Sequence, residues 1–379
     1  MRSVLSVREV GVKVRDIIDR LFINIPSGVG SRRKDLKLGR RDLEKVLAKG
    51  AQWAVEQGYG TENDTRFIED NGRMSFADPE NVSEKAYERG KDQLGTLGSG
   101  NHFVEVGRIE EIYDEEAAEA FGLFRDQVTV MVHTGSRGLG YQVCDDYIRQ
   151  MMKASEKYGI ALPDRQLCCA PFGSPEGQRY FSAMAAAANY AFANRQMITH
   201  WVRETFEQVF RTGAGRLGLS LVYDVCHNIA KLERHVVKGR QSQLCVHRKG
   251  ATRSFAPGNA EVPEGYRKVG QPVLIPGDMG RASYVLCGTG RAMKETFGST
   301  CHGAGRVMSR GEALRRTKGR SVQKELEESN VYVRAASRGT LGEEMPEAYK
   351  DVSKVVQVVH AAGISRLVAK IVPLGAIKG

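Results

Sequence analysis

From Tyr180 to Phe210 the chain carries neither glycine nor proline, although glycine supplies 42 of its 379 residues. The run Ala185-Ala186-Ala187-Ala188 lies inside that stretch, and alanine loses least on entering a helix. Tyr180 to Phe210 therefore reads as one long helix, the longest in the molecule. Elsewhere glycine cuts the chain into short pieces. Val12 to Leu21 reads as a helix after a short strand, and Asp42 to Gln57 as a helix stopped by Gly58-Tyr59-Gly60. Phe103 to Val106, Val128 to Val132, Leu219 to Val225, Pro272 to Ile275 and Ala282 to Leu286 read as short strands. No repeat or Pro/Ser-rich linker divides the chain. Residues 1–379 are expected to form a single large α+β domain, with mixed sheets flanked by helices.

A formal charge of +11 and a pI near 9.3 favour a polyanionic partner, nucleic acid above all. No basic tail stands apart, so a nucleic acid would bind across the folded body. No apolar run reaches the roughly 18 residues of a membrane span, and the N-terminus lacks a signal-peptide core. The seven cysteines are odd in number and scattered except for Cys168-Cys169. That usage suits reduced thiols and a cytoplasmic protein, with Cys168 and Cys169 expected as buried small hydrophobes.

Four histidines sit in glycine- and asparagine-rich phrases: Gly100-Asn101-His102-Phe103-Val104-Glu105, Val132-His133-Thr134-Gly135-Ser136-Arg137, Asp224-Val225-Cys226-His227-Asn228 and Cys301-His302-Gly303-Ala304-Gly305-Arg306. Each falls at or beside an expected strand end, where distant segments can converge on one cleft. The Gly-Ala-Gly after His302 lets the backbone close around a bulky ligand, and Arg306 suits phosphate oxygens. Imidazole is the commonest metal ligand near neutral pH, so His102, His133 and His227 are candidate ligands of a site assembled by the fold. His200, His235, His247 and His360 lack such context and are left structural or solvated. His247 to Arg253 reads as a dense cationic loop that could grip an RNA backbone, or could simply be solvated.

Strand alternation would place Asn101, Phe103 and Glu105 on one side and His102 with Val104 on the other. Glu105 could then accept hydrogen bonds from a guanine edge, or be an ordinary strand carboxylate. The chain ends on Lys378-Gly379 after an apolar stretch. Termini usually fray, so Lys378 is either solvated or tucked into a site. There is no G-x-x-x-x-G-K-[ST], and no Rossmann G-x-G-x-x-G in a βαβ setting.

Together these phrases resemble the RtcB family of RNA ligases, closest to its archaeal members. The resemblance runs from Ser27-Gly28-Val29-Gly30-Ser31 to Lys378-Gly379. It is carried by Leu97-Gly98-Ser99-Gly100-Asn101-His102-Phe103, His133-Thr134-Gly135-Ser136-Arg137-Gly138, His247-Arg248-Lys249-Gly250-Ala251-Thr252 and Cys301-His302-Gly303-Ala304-Gly305-Arg306. It implies a ligase that uses GTP and Mn²⁺ to join RNA ends bearing a 3′-phosphate or 2′,3′-cyclic phosphate to 5′-hydroxyl ends, in tRNA splicing or RNA repair. His302 would be the nucleophile that takes up GMP, and His102, His133 and His227 the manganese ligands. Asn101, Glu105, Asn228, the turn Pro276-Gly277-Asp278-Met279, Ser283, Tyr349 and Lys378 would surround the guanosine. His102, Phe103, Val104, His227 and Gly303-Ala304-Gly305 would complete the nucleotide contacts. Arg137, Lys249, Arg306 and Arg310 would hold phosphates of GTP or RNA, and an archease is an implied partner.

Two departures stand out. The family's metal site also uses an aspartate and a cysteine from an Asp-x-x-Cys-Gly motif, and no cysteine precedes Cys144. The expectation is either a missing upstream segment or a truncated remnant that keeps RNA or nucleotide binding without ligation. A metal-dependent phosphodiesterase built on the same histidines is a third reading. Asp278 stands where the family usually has serine, and could repel phosphate or accept from guanine.

Overall fold

The computed structural model describes residues 1–379. A seven-stranded mixed sheet forms the centre, built from β1 (Arg2–Ser6), β2 (Phe103–Ile112), β3 (Gln127–His133), β7 (Pro272–Ile275), β8 (Ser283–Gly288), β10 (Tyr332–Ala335) and β11 (Ser365–Lys378), in the order β1-β3-β2-β11-β8-β7. Only the β10–β11 pairing is parallel. Two small two-stranded units lie outside it: the hairpin of β4 (Asn228–Val237) and β5 (Arg240–Lys249), and the pair β6 (Ala251–Arg253) with β9 (Ser299–Cys301). The principal helices are α1 (Val14–Asn24), α2 (Arg40–Lys49), α3 (Ala51–Glu56), α4 (Arg137–Lys157) and α5 (Pro175–Phe210). The arrangement is the expected α+β class.

The long helix extends further than expected at its start. Ser174 caps it, accepting from the Gly177 amide at 3.1 Å, and Pro175 occupies the first turn, where its missing N–H costs nothing. The expected helix over Asp42 to Gln57 is instead two. Gly50 breaks it at φ 59° and ψ −134°, and a side chain there would meet the Gly72 carbonyl oxygen at 2.2 Å. Leu219 to Val225 is not a strand. It makes only isolated bridges, Ser220 to Arg2 and Asp224 to Ile68, while Leu219 and Leu221 fill two different core clusters. Cys168 is half-buried and Cys169 exposed, so neither is a core hydrophobe.

The C-terminus does not fray. β11 lies inside the sheet, paired with β2 along one edge; on the other edge β8 covers Ser365–Ile371 and β10 covers Gly375–Lys378. Lys378 is buried in consequence.

α1 and the middle of α5 cover one sheet face through Ile17, Ile18, Val104, Val106, Ile198 and Val202. Phe103, Ile109, Phe121, Tyr266 and Ile371 fill the other side. α2, α3, α4 and the first half of α5 form a helical layer around Leu43, Trp53, Leu139 and Tyr190. No helix is long and apolar enough to cross a membrane.

The middle of α5 is buried on nearly every side, and several of its polar side chains bond the surrounding loops. The Asn194 amide oxygen accepts from the Gly95 and Thr96 amides at 2.7 and 3.1 Å, and its nitrogen donates to the Thr96 and Gly135 carbonyls at 3.2 and 3.0 Å. One side chain thus ties together the loops that precede His102 and follow His133. Asn194→Ala would leave those buried backbone groups without partners, and each costs about 1–3 kcal/mol. We expect a loss of about 2–4 kcal/mol of stability, measured as a lowered urea midpoint with an unchanged m-value.

Candidate active site

All four histidines lie at strand ends, as their sequence context suggests. His102 immediately precedes β2, His133 closes β3, His227 immediately precedes β4 and His302 immediately follows β9. Their rings form a row, with centroid separations of 6.1 Å from His102 to His133, 5.2 Å from His133 to His227 and 4.6 Å from His227 to His302.

Each loop in the row is braced from behind. Arg195 on α5 bonds Asp224 at 2.7 Å and the Thr134 carbonyl at 3.3 Å, which couples the His227 and His133 loops. Glu69 accepts from the Cys226 amide at 2.8 Å, next to His227. Burial pushes the Glu69 carboxyl up, but ion pairs with Lys231 and Arg253 outweigh it and bring it down to about 2. On the far side, Arg248 grips Glu233 through two bonds of 2.6 and 2.8 Å and reaches Ser299 Oγ and the Phe297 carbonyl. The strand that delivers His302 is therefore held by a buried fork. Glu69, Arg195 and Glu233 were not among the sequence candidates.

Two cavities meet at this row. The larger, about 740 Å³, is lined by His102, His133, Arg137, His227, Asn228, Lys249 and His302. The smaller, about 210 Å³, is lined by Asn101, Phe103, Glu105, Pro276 to Met279, His302 to Arg306, Arg310, Glu344, Tyr349 and Lys378. His133, Pro276 and His302 face both. The alternation read from the sequence is visible: Asn101, Phe103 and Glu105 share the small cavity, while His102 turns to the large one. Val104 lines neither, because its side chain is in the core beneath α1. Ser283 stands behind the small cavity and donates to Glu105 at 3.4 Å.

Burial sets the charges. The imidazole of His102 is held down to about 3 by burial and then by Arg137, and that of His227 to about 4 by burial and then by His302. His133 is likewise held well below its usual value, by burial and then by His227. All three rings are neutral at physiological pH. In the small cavity, burial raises the Glu105 carboxyl to about 7 and lowers the Lys378 ammonium to about 8. Lys378 lies 5.4 Å from the Phe103 ring centroid and 3.8 Å from Glu344. Buried Glu344 also meets Tyr349 and Arg306, and it too escaped the sequence reading. Asp278 accepts from the Gly280 and Arg281 amides at 3.0 and 3.1 Å, so its first task is to shape the turn.

The four phosphate candidates differ in availability. Arg306 is already committed to Glu344, the Glu343 and Met308 carbonyls and the Tyr349 hydroxyl. Arg137 donates to Thr96, Gly28 and Ser31. Arg310 is exposed but lies 3.6 and 3.5 Å from Glu343 and Glu344, whereas Lys249 is exposed and unpaired. The cationic loop read over His247 to Arg253 is instead the end of β5 and all of β6. Within it Arg248 and Arg253 are buried and ion-paired inward, so only Lys249 is a free cation.

For a metal, the donors fit in part. The Nε2 atoms of His133 and His227 are 3.1 Å apart, the spacing expected of neighbouring ligands each about 2.0–2.1 Å from one cation. The buried Nδ1 atoms of His102, His133 and His227 have no hydrogen-bond partner. No three His, Cys, Asp or Glu side chains converge on one point, however. The structure brings two of the three candidate ligands together and leaves His102 alongside.

A family model described as tRNA-splicing ligase RtcB matches residues 1–379. The chain belongs to the RtcB family. It is 57% identical over 379 residues to proteins named tRNA-splicing ligase RtcB from Archaeoglobus fulgidus and Thermococcus kodakarensis, covering all of this chain and 78% of each relative. A protein of the same name from Pyrococcus furiosus is 58% identical over 380 residues, and there this family member spans 39% of the relative's length.

The Glu69 pair gives this site a pH signature. A carboxyl whose folded value lies near 2, against an ordinary 4.5, stabilises the fold above pH 4.5 and loses that contribution as pH falls toward 2. Glu69→Gln should lower stability at pH 7 by about 3 kcal/mol. Its urea midpoint should also fall less than the parent's between pH 5 and 3; parallel curves would sink the assignment.

Proposed function

We propose that the chain is an RNA ligase of tRNA splicing that uses GTP and Mn²⁺ and passes through a covalent histidine–GMP intermediate on His302. The observation that carries this reading is the position of His302, between a row of neutral imidazoles and a small cavity closed by Gly303 to Gly305. A nitrogen of the His302 ring attacks the α-phosphorus of GTP, the bond to the β-phosphate oxygen breaks, and pyrophosphate leaves. The RNA 3′-phosphate then takes GMP from His302. The 5′-hydroxyl of the second RNA attacks the activated phosphorus, loses its proton, and GMP departs as the phosphodiester forms. A 2′,3′-cyclic phosphate is opened by water first.

The small cavity takes the guanine in this scheme. Glu105 accepts from the base edge, Lys378 and Tyr349 enclose it, and Asn101 with the Pro276 to Met279 turn flank it. Arg310 and Lys249, the exposed cations, meet phosphates, while Arg137 and Arg306 shape the walls. His133 and His227 would hold the Mn²⁺, with His102 beside them; bound there, the ion would neutralise phosphate charge. Transfer RNA halves are the substrates and an archease the activating partner in this proposal. A metal-dependent phosphodiesterase would use the same row but would not need GTP.

Incubation with α-³²P-GTP and Mn²⁺ tests the scheme. The expected result is an acid-labile labelled protein for the parent and none for His302→Ala. His133→Ala should reduce labelling at least a hundredfold and should weaken Mn²⁺ binding measured without nucleotide. Cyclic-phosphate opening with no GTP requirement and no adduct would replace the ligase by the phosphodiesterase.

A further inference from the structure

The β4–β5 hairpin starts at the histidine row and ends in solvent. The amide of Gly250, at its base, donates to the His227 carbonyl and to Asn228 Oδ1, and a side chain on Gly250 would stand 3.4 Å from the His302 ring. From there the ten residues of each strand reach about 33 Å outward.

Its two faces are segregated by charge. The register pairs Asn228 with Lys249, Leu232 with Cys245, Arg234 with Gln243 and Val236 with Gln241 on the outer face. Glu233 is the sole carboxylate between Asn228 and Lys249, and it points inward, where Arg248 and His235 hold it. The inward cation Lys231 is likewise paired, with Glu69 and Asp70. Outward, Lys249 and Arg234 are exposed, as are Lys238 and Arg240 at the hairpin tip, and none of the four forms an ion pair. The outer face thus offers cations, glutamine amides and two exposed aliphatics, Leu232 and Val236, with no acid among them.

We propose that this outer face is a track for a single RNA strand, which runs from the Lys238–Arg240 turn down to His302 with its phosphates against the unpaired cations. This deepens the reading of the chain as an RNA ligase and rests on it for the identity of the polyanion. A strip without acids repels no phosphate along its length, and unpaired cations release counterions when a phosphate binds. A protein partner is a poorer fit, because the face has no exposed aromatic to anchor an interface.

The test is the triple variant Arg234→Glu, Lys238→Glu and Arg240→Glu, none of which lies in the proposed catalytic machinery. Binding of a fluorescent RNA of about 16 nucleotides and of a dinucleotide is measured across a salt series. A control carries Lys34→Glu, Lys37→Glu and Arg41→Glu, exposed cations far along the chain that make the same change in net charge. The expected result is at least a tenfold loss of affinity for the long RNA, with the salt slope reduced by about 2. Dinucleotide binding and GTP labelling of His302 should stay unchanged. Unchanged long-RNA affinity would overturn the track and leave the face to a protein partner. An equal loss in the control, or for the dinucleotide, would overturn it as well. Absence of GTP labelling in the parent would count against the ligase reading alone, because the RNA comparison does not depend on it.

Discussion

The site depends on the polar residues buried in the middle of α5. In a helix buried on nearly every side an unpaired amide or guanidinium is costly, and Asn189, Asn194, Arg195 and the Gln196 amide nitrogen find partners in the surrounding loops. They do so in four directions. Asn189 bonds Leu47 and Met74, and Gln196 bonds Tyr59 and Asp64. Asn194 bonds the loops flanking His102 and His133, and Arg195 those flanking His133 and His227. The loops have little secondary structure of their own, so the helix gives them a fixed geometry. The cost of any unmade bond in that interior is what makes the placement specific.

Alternation along β2 then divides the chemistry. His102 and Glu105 are three residues apart, yet they face different cavities because successive strand residues point to opposite sides. One cavity holds neutral imidazoles with free lone pairs, the state needed for attack or coordination. The other holds a carboxyl near 7 and an ammonium near 8, groups that can each donate or accept a proton close to neutrality. His302 faces both. A nucleophile in that position can reach a ligand seated in the small cavity without leaving the imidazole row.

Much of this was legible in the sequence, for reasons that can be named. The glycine- and asparagine-rich histidine phrases marked strand ends, and all four histidines are there. The absence of glycine and proline from Tyr180 to Phe210 marked α5. Pro272 to Ile275 is a strand over those same residues. The failures are equally specific. Gly50 looked tolerable within a helix because the collision with the Gly72 carbonyl is a tertiary contact. Leu219 to Val225 has strand composition but no partner strand to pair with. Glu344 and Glu69 carry no local signal, since each matters through residues far away in the chain. The triplet Asn194-Arg195-Gln196 was the one visible clue, a polar interruption in an apolar helix.

The stretch from His247 to Arg253 shows why charge counted along a sequence misleads. Three of its cations looked equivalent, yet strand parity gives them opposite fates. Lys249 faces solvent, whereas Arg248 turns inward to Glu233 and onward to Ser299 and Phe297. A buried ion pair of this kind adds little net stability, because desolvation consumes most of the attraction. Its planar fork does fix direction, and it joins the inner face of the hairpin to the strand that carries His302. The same alternation that removes Arg248 and Glu233 from solvent leaves the outer face with cations and no acid. One hairpin can therefore hold His302 in place from behind and present an unopposed positive strip in front, and neither task constrains the residues that perform the other.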